Sequence, residues 1–124
     1  MTPMEVVKKY NEVCWNEHKP ELAADILADK VVRNYIGKRE VLTRKESVER
    51  IQDGLQKSPD IKFTFHHFID GGDKITLIWE AESELYDGEM GKGLLTAGIE
   101  VFRVENGQIC EVWNSEYAFG NRWP

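Results

Sequence analysis

Cysteine is scarce in this chain of 124 residues: Cys14 and Cys110 are its two thiols, and they form no CxxC or Cys/His cluster. Zinc-ribbon and dithiol redox chemistry are therefore unsupported, and both residues read as buried thiols. Histidine is scarce too, with three residues, and no set of His, Cys, Asp or Glu has the type and spacing of a zinc, iron or calcium site. Neither a metal nor a cofactor is expected. No stretch approaches the roughly 20 apolar residues of a membrane span, and the opening MTPMEVVKKY lacks the apolar core of a secretion signal. The expectation is a cytoplasmic protein without a membrane partner. Basic residues are outnumbered, 16 Lys and Arg against 22 Asp and Glu, and the net charge of −6 opposes binding to nucleic acid, whose phosphates demand a basic footprint.

What is present suits one domain over residues 1–124, with 41% hydrophobic and 31% charged residues, enough apolar content for one core. The charge is uneven: residues 30–50 carry seven Lys and Arg against three acids, whereas residues 74–124 carry four against nine. This reads as a basic loop region on an acidic body, either a solvated face or an anion site.

Hydrophobic spacing gives the elements. Val6, Val7, Tyr10, Val13 and Cys14 mark one face of a helix over residues 4–18. Pro20 starts a second, short helix, and residues 31–36 form a β-branched strand that ends at Gly37. Thr43 and Glu46 make a capping box for a third helix, whose buried face carries Val48, Ile51 and Leu55 and which Ser58-Pro59 stops. From Ile61 the period changes to two. Four strands follow, separated by Gly71-Gly72-Asp73, a glycine-rich loop over residues 87–93 and the Asn106-Gly107 turn, and the last runs to about Phe119. An antiparallel meander of this kind must cover its apolar face with the helices, giving an α+β sandwich or half-open cone.

The block GIEVFRVENGQICEVW, residues 98–113, resembles the G-I-x-x-F-R-x-x-x-G-x-I-x-E-x-W signature of SnoaL-like proteins in the NTF2-like superfamily. The tracts SPDIKFTFHHFIDGGDKI and NEHKPELAADILADKVVRNYIGKRE resemble the same family, so the likeness spans nearly the whole chain. It implies a cone-shaped α+β fold with three N-terminal helices packed on a curved, mainly antiparallel sheet. That fold serves polyketide cyclases, ketosteroid isomerases, limonene epoxide hydrolases and non-enzymatic partners alike.

By this resemblance, Glu100 corresponds to the acid that hydrogen-bonds an enolate oxygen in the isomerases. It lies on the face of Gly98 and Phe102; either it is desolvated there, with a raised pKa, or Ile99 and Val101 are the inward set and it is exposed. Asn34 falls where the isomerases carry their general base, with an intervening strand one residue shorter; an amide cannot take a proton from carbon, and the alternative is an edge-strand Asn before the turn. Tyr10 stands upstream of Asn34 by about the isomerase oxyanion-tyrosine separation, or it serves core packing. Asn114 replaces a catalytic aspartate of the epoxide hydrolases, and Glu116, two residues on, either restores a carboxylate or lies at the rim. Adjacent His66 and His67 must point to opposite faces, with His67 the better pocket residue. Phe65, Trp79, Phe102 and Trp113 supply aromatic surface for a ligand cavity or a dimer interface.

These residues lead to a protein that binds a small hydrophobic organic ligand, cyclic or polyketide-like, with cofactor-free acid/base chemistry of the cyclase, isomerase or hydrolase type. The alternative is a non-catalytic ligand-binding or dimerisation module. A homodimer is expected in both cases, since three short helices cannot cover two faces of an apolar sheet.

Overall fold

Two threonines start the principal helices in the same way. Thr2 caps α1 (Pro3–Lys8): its hydroxyl accepts from the Glu5 N–H at 3.2 Å, and the Glu5 carboxylate accepts from the Thr2 N–H at 2.9 Å. Thr43 and Glu46 repeat the box at α2 (Arg44–Lys57), at 3.1 and 2.9 Å, as the sequence leads one to expect. The computed structural model describes residues 1–89 and 91–124.

The expected helix over residues 4–18 changes character halfway. Beyond α1 the chain continues as a π-helix, Lys9–Asn16, where the Asn11 amide donates to the Val7 carbonyl at 2.8 Å. Tyr10, Asn11 and Cys14 lie on the buried side of this turn. A 3₁₀-helix, Pro20–Ile26, takes the place of the second helix.

β1 (Leu27–Tyr35) begins earlier than the sequence pattern suggests. Gly37, at φ +84°, turns it into β2 (Lys38–Thr43), an edge strand that the sequence reading missed because its KREVLT segment is mostly polar and largely exposed. β3 (Lys62–Asp70), β4 (Lys74–Gly88), β5 (Gly91–Glu105) and β6 (Gln108–Asn114) complete one sheet in the order β2-β1-β6-β5-β4-β3. The expected meander is thus part of a six-stranded curved, unclosed sheet, with β1 parallel to β6 and the remaining pairs antiparallel. The glycine-rich loop is a hairpin end in which Gly88 pairs with Gly91; Met90, in that expected loop, lies outside the described residues. β6 stops at Asn114, not near Phe119, although the tail stays bonded to β5 through the carbonyls of Ile99, Ala97 and Leu95.

The core lies between the helices and one face of the sheet. Ile75, Leu77 and Phe102 meet Val6, Val7 and Ile51 there, all essentially inaccessible, and each such side chain contributes about 1.5–3 kcal/mol by leaving water. Cys14 is buried in this core, its thiol pushed up to about 11 by desolvation, whereas Cys110 is half-buried, contrary to expectation. Among the described residues no helix is long and apolar enough to cross a membrane.

A bulge in β3 alters the histidine pattern. The register shifts between Phe65 and His67, so that Phe68, not His67, follows Phe63 and Phe65 into the aromatic layer; the centroids of Phe65 and Phe68 are 5.6 Å apart. His67 is exposed.

Candidate functional site

Where α2 and the π-helix meet the inner face of the sheet, a cavity of about 260 Å³ opens. β5 sends Leu94, Thr96 and Glu100 into it, at the even positions that also carry core Phe102 and Val104. β4 adds Trp79 and Ala81. Helix α2 contributes the i, i+4, i+7 stripe Arg50, Gly54 and Lys57, which flanks its core stripe. Two glycines allow the walls to come this close. A Cβ at Gly54 would lie 2.6 Å from Cη2 of Trp15, and one at Gly98 would lie 2.9 Å from Cζ2 of Trp79 and 3.1 Å from Cδ1 of Tyr117.

The polar centre is Arg33, only 3% exposed. Its Nη2 donates to the Tyr10 hydroxyl at 3.1 Å, and its Nη1 stands 3.9 Å from Oε2 of Glu100, too far for a hydrogen bond. Arg33 Nη1, Trp79 Nε1, Thr96 Oγ1 and Asn114 Nδ2 are buried and without a hydrogen-bond partner. Orphaned polar atoms are costly in a protein interior, and three of these four belong to residues that line the cavity.

Electrostatics follow from this burial. Desolvation pushes the Glu100 carboxyl above the ordinary carboxylate range, against the opposing pull of Arg33 and Arg50. Burial, reinforced by the Glu100 charge, also raises the Tyr117 phenol. For Arg50 burial opposes the charge, but the surrounding Tyr10, Tyr35, Tyr117 and Glu100 outweigh it and hold the guanidinium above its usual range. The arrangement is a carboxyl whose pKa is raised above the ordinary range, beside donors suited to an oxygen that gains charge. Among the described residues no three His, Cys, Asp or Glu side chains are grouped to hold a metal.

The structure brings together only some of the residues singled out in the sequence. Glu100, Tyr10 and Trp79 line the cavity. Phe65 stands behind the lining residue Phe63, stacked on it at 5.9 Å. Phe102 is fully buried beneath the site and touches it through Tyr10, at 5.7 Å between centroids. Asn114 is buried just outside the lining, its carbonyl oxygen accepting from the Tyr117 hydroxyl at 3.2 Å.

Asn34, Trp113, Glu116 and His67 are placed elsewhere. Asn34 donates to Glu111 at 2.9 Å on the opposite face, because β1 turns Val31 and Arg33 inward. Trp113, paired with Val101 on that same face, is 36% exposed. The chain leaves β6 after Asn114, which changes the phase, so Glu116 is exposed and Tyr117 enters the cavity instead. Tyr117 meets Trp79 edge-on at 5.0 Å. Sequence reasoning missed Arg33, Arg50 and Tyr117. The spacing of Arg50 with Gly54 and Lys57 was a usable signal for the second; for Arg33 and Tyr117 there was none.

The SnoaL-like polyketide cyclase family matches residues 5–116. No curated protein matches the chain. Among solved structures, a candidate polyketide cyclase from Acidithiobacillus ferrooxidans superposes with a TM-score of 0.77 at 19% identity, covering 91% of this chain and 87% of that one. Wild-type IdmH, a candidate polyketide cyclase from Streptomyces antibioticus, gives 0.74 at 16% identity over 98% and 94%. A candidate ketosteroid isomerase from Kribbella flavida gives 0.72 at 17% identity over 98% and 82%. At such identities the likeness is one of fold.

Proposed function

Because the chain belongs to the SnoaL-like polyketide cyclase family, we propose that its cavity binds a small, hydrophobic, cyclic ligand and that Glu100 exchanges a proton with it, without cofactor or metal. The observation that carries this reading is the carboxyl of Glu100 lining an aromatic cavity, its pKa raised by desolvation, with Arg33 beside it and bonded to Tyr10. A proton donor or acceptor works best when its pKa lies near the working pH, and burial moves Glu100 in that direction. Enolisation of a ring ketone, or closure of a ring on an enolate, are reactions of the corresponding class.

Hydrogen–deuterium exchange at the carbon beside the carbonyl of 2-tetralone, followed by NMR in D₂O, tests it. The wild-type protein accelerates the exchange, and Glu100→Gln binds the ketone while losing the acceleration. Equal exchange with both proteins, or an ordinary carboxylate titration for Glu100, leaves a binding cavity without acid/base chemistry.

A homodimer through the helix-free face of the sheet completes the proposal. Trp113 and Val41 are large apolar residues exposed at that side and edge of the sheet. Sedimentation showing only monomer at high micromolar concentration contradicts it.

A further inference from the structure

The charge inside the cavity is opposite to that of the molecule. The chain carries −6 overall, yet the cavity is lined by Arg33, Arg50 and Lys57 against Glu100 alone. Proton exchange at Glu100 does not by itself call for so many cations. The hydrogen-bonding inventory points the same way. Arg33 Nη1 and Trp79 Nε1 have hydrogens without an acceptor, and the Tyr10 hydroxyl, which accepts from Arg33 Nη2, retains its own proton to give. A neutral carbonyl would leave part of this donor set unused, whereas an oxygen anion takes several charge-assisted hydrogen bonds at once.

Resting on the reading of this cavity as a ligand site, we infer that its ligand is a cyclic or aromatic oxyanion of the carboxylate type, received by Arg33 Nη1 and the Tyr10 hydroxyl. The guanidinium is held for that task on β1, nearly inaccessible, with one nitrogen bonded to Tyr10 and the other buried 3.9 Å from Glu100 without a hydrogen-bond partner. Trp15, Phe63 and Leu94 supply apolar surface for the rings. Arg50 and Lys57 on α2 give the anion its path of entry.

Glu100 makes this binding depend on pH. Its ionised form repels the anion and its protonated form does not, so binding draws a proton onto Glu100. The other titratable groups that line the cavity with it are Arg33, Arg50, Lys57, Tyr10, Tyr86 and Tyr117. Among the described residues no histidine lines the cavity.

Calorimetry with 2-naphthoate and its neutral isostere 2-naphthamide tests the inference on the wild-type protein. Naphthoate is expected to bind about tenfold more tightly or better. Its affinity falls as the pH rises from about 5 to 8, and titrations in buffers of different ionisation enthalpy show proton uptake. In Glu100→Gln, naphthoate binds at least as tightly, and both the pH dependence and the proton uptake vanish. Naphthamide binding as well as naphthoate overturns the inference while the cavity remains a ligand site. Failure of both to bind also overturns it, and the tetralone exchange then judges the proposed function on its own.

Discussion

Glu80 and Glu100 sit on the neighbouring central strands β4 and β5, with side chains 9% and 14% exposed, yet on opposite faces of the sheet. On the helix-free face, Glu80 accepts from His66 at 2.5 Å and from Arg122 at 3.0 Å, and these bonds, His66 first, hold its carboxyl below the usual range. Inside the cavity, Glu100 has one cation 3.9 Å away and no hydrogen bond, and desolvation pushes it up. Similar burial therefore produces opposite acids, and the presence of close donors decides which. Arg103 and Glu111 likewise pair on the outer face, at 3.2 Å. Charges on the outer face are spent on one another, whereas those in the cavity keep bonding capacity in reserve.

The largest effect should come from removing the cation that makes the inner carboxylate tolerable. Arg33→Leu is expected to cost about 3 kcal/mol near pH 8, read by urea denaturation, because it removes the stronger of the two cations that act on buried Glu100 and leaves the Tyr10 hydroxyl without its donor. The loss should shrink at pH 4, where Glu100 is protonated. An equal loss at both pH values would show that the Glu100 charge is not what Arg33 stabilises.

Next come the pH slopes. A carboxyl raised in the folded state binds its proton more tightly there, so its contribution is present below the unfolded pKa and is lost as pH rises through the folded one. Glu100→Gln should remove that decline, giving a melting temperature that gains on the wild type from pH 4 to pH 8. Glu80 has the opposite sign: its contribution is present above the unfolded pKa and lost as pH falls through the folded one. Glu80→Gln should therefore be less stable than the wild type at pH 7 and converge with it in acid. Slopes of the same sign for both variants would break the comparison.

The smallest effect concerns Asn34. It bonds Glu111 outside the cavity, so Asn34→Ala should leave the affinity for naphthoate within about twofold, as for a surface change away from the site. A large loss would return Asn34 to the ligand.

Local chemistry made much of the architecture legible in the sequence. The Thr43 and Glu46 box, the alternation through β4 and β5 and the Asn106-Gly107 turn each carry their own physical reason. The inward face of Glu100 was readable because Phe102 and Val104 continue its phase, although Ile99 and Val101 left a rival. β1 was harder. Val31 and Val32 are equally β-branched, so composition could not choose the phase, and the inner choice buries an arginine, which a rule for single residues discourages. Tyr117 depends on the chain leaving β6 at Asn114 and His67 on a bulge, and neither event has a local marker.

The hydrogen side chain of Gly98 gives the cavity an adjustable floor. Trp79 and Tyr117 close over that backbone, within 3.1 Å of where a β-carbon would stand. A single added methyl group would lift both rings and carry the indole N–H of Trp79 with them. Ligand size and ring tilt could thus be retuned from this one backbone position.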